Sequence, residues 1–239
     1  FWRWDTPDKY QTNMRAYFRM LSGIDHVVGR LVQQLARQGL AANTVIPYTA
    51  DNGYYLGDRG FAGKWTHYDQ SLRVPLVVYD PRQPPQQRGK VRREFVLNSD
   101  LAATMISLAG QSVPDTHTGR SLVPLISGKT PAWRTDFLCE FLAVPRSIPL
   151  WEGVRATRWV YARYFVHGKH KPPFEFLHDL QDDPDQLINI AALPAGGRTA
   201  THTAALTSMR RRCDTLVKQH GPAMPQIPDS GKRRKKSKT

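Results

Sequence analysis

Two short apolar runs, TVIPYTA at residues 44–50 and VPLVVY at residues 74–79, flank a polar stretch that opens on Asp51-Asn52-Gly53. That stretch also contains Gly57, Gly60 and Gly63. Apolar runs of this length, bounded by turn-forming residues, read as buried strands. Pro47 removes one ladder donor from the first strand. The glycines allow the intervening loop tight turns and close backbone approaches. In open α/β sheets, ligands gather beyond the carboxyl ends of strands. Asp51 and Asn52 therefore stand where a site is built.

Helices are expected on either side. Tyr10, Met14, Tyr17, Phe18, Leu21, Ile24, Val28, Leu31, Val32 and Leu35 follow three- and four-residue steps. This spacing predicts one long helix with one buried face, capped by Asp8 behind Pro7 and ended by Gly39. A polar helical turn is expected over residues 68–72. A short helix, LAATMISLAG, should start from Ser99 or Asp100 and stop at Gly110. The rhythm helix, strand, loop, strand, helix belongs to an α/β sheet with covering helices.

The pattern changes after Gly128. β-like runs occupy residues 136–142, 154–166 and 174–180, and a basic helix spans about residues 199–220. We expect an α/β part over residues 1–128 and a small antiparallel-sheet subdomain with one helix over residues 129–221. A basic, disordered tail is expected over residues 222–239.

Charge and cysteine content narrow the function classes. The 239 residues carry 34 Lys and Arg against 20 Asp and Glu, a formal net charge of +14. Six of the basic residues fall in the last eight positions, KRRKKSKT. That run has no aromatics on which bases could stack, so a solvated tail is its plain reading and polyanion binding its functional one. Cys139 and Cys213 lie in dissimilar surroundings, and neither belongs to a zinc-type spacing. No apolar run approaches the roughly 18 residues that span a bilayer. The chain begins at Phe1 without a secretory-type n-region or h-region. A natural N-terminus upstream, with any export signal, is the expectation.

The chemistry concentrates between Asp51 and Lys64. Asp offers an anionic oxygen and Asn a neutral carbonyl oxygen, both hard ligands suited to calcium or magnesium. Two ligands are too few for such an ion, so other segments or a substrate must complete the shell. Lys64, placed after Gly63, carries a compact positive charge suited to a tetrahedral oxyanion. Asp-Asn-Gly alone is an ordinary turn signal. His67 is a candidate substrate contact near a leaving group, against the plainer reading of a surface or core histidine. Asp69 and Arg73 read as loop-orienting residues, and Asp58 as solvated. His167, His170 and Lys171 read as an exposed hairpin loop, with the rim of a substrate cleft as the functional alternative. Asp179, Asp182, Asp183 and Asp185 lack the glycine and terminal Glu of an EF-hand and read as turns and caps.

Taken together, TADNGYYLGDRGFAGKWTHYDQSLRVPLVV resembles the second signature region of the sulfatase family, T-(S/A)-D-(N/H)-G-x-x-L-G-x-H-G-x-x-G-K-x-x-x-Y-(E/D)-x-x-x-R-V-P-L. NSDLAATMISLAG, TGRSLVPLISG, EGVRATRWVYARY and FLHDLQDDPDQLINIA are similar to later segments of the same family, in order. The resemblance implies the C-terminal part of an alkaline-phosphatase-like α/β fold with a small antiparallel subdomain. It implies a formylglycine-dependent sulfuric ester hydrolase with one calcium ion. Asp51 and Asn52 would be metal ligands, and Lys64 a catalytic residue at the sulfate or bridging oxygen. A sulfated small molecule or polysaccharide would be the substrate, and the location extracytoplasmic.

Two departures bear on activity. The family's nucleophile lies in C/S-x-P-x-R, a pattern absent here, and the formylglycine made from it is expected only in a missing N-terminal half. Arg59 stands where many relatives have His. The chain alone is therefore expected to lack turnover. A phosphate or phosphonate monoester hydrolase of the same superfamily, and a non-catalytic remnant binding anionic polymers, remain the alternatives.

Overall fold

The computed structural model describes residues 4–142, 149–165 and 174–220. The expected loop around His167, His170 and Lys171, and the tail over residues 222–239, lie outside them. The chain divides into two compact units. The first comprises Phe1–Lys64 and Asp69–Arg134, and the second Trp65–Tyr68 with Thr135–Thr239.

The first unit opens with α1 (Pro7–Arg37). Its N-cap is Thr6, whose hydroxyl accepts from the Lys9 amide at 3.3 Å. This corrects the expected Asp8 cap. Pro7 can occupy the first helical position because no amide is needed there. The expected buried face is corrected too: α1 contains no buried residue, and Phe18, Ile24 and Leu31 are 58%, 44% and 48% exposed. Helical periodicity reports which face is apolar, while burial requires a partner surface. Among the described residues this face is covered only in part, Met14, Tyr17, Val28 and Leu35 being half-buried.

Strand β1 (Ile46–Thr49) pairs antiparallel with β4 (Leu76–Tyr79), Pro47 lying opposite Val78. Each strand of a two-stranded ladder keeps one open side, which is how a proline is accommodated. Between them, β2 (Tyr55–Leu56) and β3 (Ala62–Gly63) form a short hairpin, and α2 (Asp69–Leu72) is the expected helical turn. Helix α3 (Asn98–Leu108) starts earlier than expected, with Leu97 as N-cap. Asp100 is not the cap but the third helical residue. Its carboxylate reaches back to the Leu97 amide at 2.8 Å, satisfying an otherwise orphaned donor. Gly110 ends the helix at φ +74°, as its lack of Cβ allows. Helix α4 (Val123–Ile126) follows.

Asp100 is the buried polar centre of this unit. It is fully buried, accepts the Arg120 amide at 2.8 Å and meets Arg134 through two guanidinium nitrogens at 2.5 and 2.8 Å. The Arg134 guanidinium also lies 5.2 Å from the centre of the Trp133 ring.

In the second unit, β5 (Asp136–Phe141), β6 (Leu150–Ala156), β7 (Trp159–Phe165) and β8 (Phe174–Asp179) form one antiparallel meander in sequence order. The run at residues 154–166 thus belongs to two strands, parted at Thr157-Arg158. Helix α5 (Ala200–His220) packs on the sheet. Leu206, Met209, Cys213 and Leu216 repeat at three- and four-residue steps and meet Val154, Tyr161 and Leu177 in one core. Burial in this core pushes the Cys213 thiol up to about 12.

The basic residues of α5 are engaged by the sheet. Arg212 bonds Asp136 at 2.7 and 2.8 Å, and Arg210 forks onto Glu175. Arg163 of β7 bridges Glu152 of β6 and Asp214 of α5 at 2.7 and 2.6 Å. Among the described residues, no helix is long and apolar enough to cross a membrane.

Two stability outcomes follow from the buried charges. Asp100→Ala strands Arg134 without its carboxylate and should cost about 3–5 kcal/mol in urea unfolding. Asp5→Ala, at the exposed Lys9–Asp5 pair, should leave the urea midpoint unchanged. The Arg82 guanidinium holds the Asp80 carboxyl down to about 2 from an ordinary 3.8, against the opposing effect of burial. A depressed carboxylate stabilises the fold above its unfolded value and loses that contribution as pH falls through its folded one. Asp80→Asn should therefore flatten the acid limb of a stability–pH curve between about pH 4 and 2.

Candidate functional site

The sequence Asp51-Asn52-Gly53 leaves the carboxyl end of β1, and three contacts hold it there. The Thr49 hydroxyl donates to the Pro75 carbonyl at 2.8 Å, tying the end of β1 to the start of the β4 run. The Asn98 side-chain amide donates to the carbonyls of Ala50 and Asp51 at 3.2 and 3.0 Å. Gly53 donates its amide to the Ser71 carbonyl at 3.0 Å. A Cβ on Gly53 would stand 2.2 Å from the Gln70 carbonyl oxygen, so only glycine permits this approach to α2.

Asp51 accepts the Asn52 amide through Oδ1 at 2.9 Å, while Asn52 donates its own amide nitrogen to the Gly53 carbonyl at 2.7 Å. The Asn52 Oδ1 atom is thereby turned outward, and the Lys64 ammonium donates to it. Lys64 Nζ also lies 3.9 Å from Asp51 Oδ2. The structure thus brings three of the four residues singled out in the sequence together. The Asp51 side chain is 87% exposed and that of Lys64 32%, so this cluster is open to a ligand.

The donor set fits a hard divalent cation: one carboxylate oxygen and one amide oxygen already face a common positive charge, here the Lys64 ammonium. It is a partial set. Among the described residues, no group of three or more His, Cys, Asp or Glu is arranged to hold a metal ion.

His67 lies elsewhere. It is 1% exposed, its Nδ1 is 2.8 Å from the Tyr164 hydroxyl, and its Nε2 is 3.0 Å from His178 Nε2. A histidine so engaged is a core residue of the second unit, and a direct hold on substrate would require breaking both contacts. Arg59 adopts φ +59°, in the turn that follows Gly57. Asp179 binds Arg158 at 2.6 and 2.8 Å, and Asp183 caps the Leu187 and Ile188 amides, so both work as turn-stabilising carboxylates.

Sequence reasoning did not single out Asn98, Thr49 or Ser71, which position the site. Asn98 had a visible signal, as the first residue of the NSDLAAT segment. Ser71 contributes through its backbone and had none.

Comparison with known proteins bears on the family and the fold. The family described as Sulfatase matches residues 2–111, and the family described as N-sulphoglucosamine sulphohydrolase, C-terminal, matches residues 57–211. The chain is 31% identical over 187 residues to an N-acetylglucosamine-6-O-sulfatase of Bacteroides thetaiotaomicron, covering 76% of this chain and 32% of that protein. It is 32% identical over 209 residues to a choline-sulfatase of Rhizobium meliloti, covering 86% and 38% respectively. The chain thus spans about a third of the length of these relatives.

Among solved structures, one of a protein in complex with its substrate D-glucosamine-2-N,6-O-disulfate superposes with a TM-score of 0.77 at 28% identity, over 88% of this chain and 41% of that one. A phosphonate monoester hydrolase from Silicibacter pomeroyi gives a TM-score of 0.77 at 25% identity, over 93% and 44%. A family match over more than half of its length and these shared folds establish that the chain belongs to the sulfatase family, with the alkaline-phosphatase-like fold and the family's C-terminal portion.

Proposed function

We propose that this chain supplies the Asp51–Asn52–Lys64 part of a site that hydrolyses sulfuric esters. The observation that carries the reading is the convergence of the Lys64 ammonium on the Asn52 and Asp51 oxygens at the end of β1, in a sulfatase-family fold. Asp51 and Asn52 would hold calcium, which supplies charge stabilisation to a sulfuryl oxygen when bound. Lys64 offers its ammonium to the sulfate or to the departing oxygen, where a fixed positive charge favours the transition state over the ground state. The nucleophile is not among these residues. The 239 residues lack C/S-x-P-x-R, so by themselves they should not turn over substrate.

The substrate class is a sulfate ester. Sulfated amino sugars are the first to test, since relatives and a structural neighbour carry those names. A second reading has its own support: phosphonate monoester hydrolases share the fold. A cation and a lysine serve phosphoryl and sulfuryl groups alike.

The test is hydrolysis of an aryl sulfate, a glucosamine sulfate and an aryl phosphonate monoester by the protein carrying its upstream coding sequence in frame. Sulfate esters should be preferred, and Lys64→Ala should lower kcat/KM by about 10²–10³-fold. Equal turnover by wild type and variant would remove Lys64 from the chemistry, and a phosphonate preference would favour the second reading. Asp51→Ala should weaken calcium binding by more than the ~10–100-fold typical of groups that merely support a ligand. The loss of the calcium-induced rise in melting temperature would report this independently of activity.

A further inference from the structure

One loop of the first unit gathers positive charge that no carboxylate neutralises. Elsewhere, Asp and Glu side chains pair with Arg82, Arg134, Arg158, Arg163, Arg210 and Arg212. Residues 88–93, RGKVRR, carry four cations and no acid. They follow the turn Pro85–Gln87, and Arg88, Lys90, Arg92 and Arg93 are all exposed. Among the described residues, none of these four enters an ion pair. The acids at either end of the loop are engaged otherwise. Asp80 takes Arg82 at 2.8 and 2.9 Å, and Glu94 accepts the Arg93 backbone amide at 2.9 Å.

Two of the four cations are fixed in place without being neutralised. Arg88 donates Nε to the Gln83 carbonyl at 2.9 Å and Nη2 to the Pro81 carbonyl at 3.0 Å. Arg92 donates Nε to the Leu125 carbonyl of α4 at 3.1 Å and Nη2 to Gln87 Oε1 at 3.4 Å. Carbonyl and amide oxygens carry no net charge, so each guanidinium keeps its own while losing its freedom. Part of the ordering entropy that a bound partner would otherwise cost is thus already spent. Among the described residues, the Lys90 and Arg93 side chains have no hydrogen-bond partner, and Val91 between them is 82% exposed. Lys129 adds an exposed fifth cation just past α4, its amide closing on the Pro124 carbonyl at 2.9 Å.

We propose that residues 88–93, with Lys129, form a docking surface for a sulfated polysaccharide. Oxyanions spaced along a flexible chain meet fixed guanidinium and free ammonium groups, and neutralising them releases condensed counterions. Nucleic acid fits this surface less well. Residues 80–94 contain no aromatic side chain on which single-stranded bases could stack. Residues 88–93 belong to neither helix nor strand, the elements that enter the groove of a duplex. The choice of sulfate as the anion rests on the sulfate reading of the candidate site, whereas the polyanion surface itself does not.

The test is binding of the 239-residue protein to dextran sulfate over a series of salt concentrations, with neutral dextran and a DNA duplex as comparisons. Because the tail is itself basic, a background with Lys232, Arg233, Arg234, Lys235, Lys236 and Lys238 all replaced by Gln runs beside the wild type. That background should still bind dextran sulfate. Adding Lys90→Gln and Arg93→Gln should weaken binding about 10–100-fold and lower the log–log salt slope by about two, with the melting temperature unchanged. Lys64→Ala should bind dextran sulfate as the wild type does. Loss of all binding in the neutral-tail background overturns the proposal. So does full binding by the Lys90 and Arg93 variant, or loss of binding in Lys64→Ala. A duplex bound as tightly as dextran sulfate through the same two residues overturns the polysaccharide assignment. Hydrolysis of an aryl sulfate by the longer protein tests the sulfate reading separately, and its failure leaves the dextran sulfate result standing.

Discussion

The arrangement of the site depends on a contact between two stretches of backbone. Gly53 comes so close to the Gln70 and Arg73 carbonyls that no side chain fits, and its amide is spent on the Ser71 carbonyl. This pins the turn that follows β1 against α2. Asp51 and Asn52, two and one residues earlier, inherit a fixed direction. Asn98 adds a second constraint by taking the carbonyls of Ala50 and Asp51, so the strand end cannot unwind towards solvent. A site of the kind proposed, for a divalent ion and a sulfuryl group, needs its oxygens preorganised. Here the rigidity comes from backbone and side-chain amide contacts, while the chemical groups stay exposed.

The two units solve different problems. The C-terminal sheet and α5 bury a continuous apolar core and use Arg210, Arg212 and Arg163 to close it with paired charges. Arg210 and Arg212 of α5 are therefore structural and poor candidates for a polyanion surface. The N-terminal unit is built differently. Its buried polar centre is Asp100 with Arg134, and its longest helix has no buried residue. Exposed Phe18, Ile24 and Leu31 follow the spacing of a packing face.

Much of this was legible in the sequence because it is local. The two apolar runs, the glycine-rich loop, the helical turn, the basic last helix and the Asp51–Asn52–Lys64 cluster each announce themselves within a few tens of residues. The errors came where a neighbour decides. The start of α3 was misplaced because Asp100 looks like a cap, yet its carboxylate is claimed by Arg134 and the Leu97 amide. Residues 154–166 read as one run because nothing in Thr157-Arg158 marks a turn strongly. The face of α1 was expected to be buried because periodicity cannot tell an apolar face from a covered one.

By itself, the sequence determined the family and the reactive groups, since the order of motifs and the types of oxygen and nitrogen donors are properties of the chain. Only the tertiary structure decided what each group meets. It brought Lys64 onto Asn52 across a hairpin and buried His67 against His178, 111 positions away. It also revealed Asn98 as a support of the strand end. Hydrogen bonds of this kind act over about 3 Å and join residues far apart in the chain. The spacing of residues along a sequence carries no record of which of them will come that close.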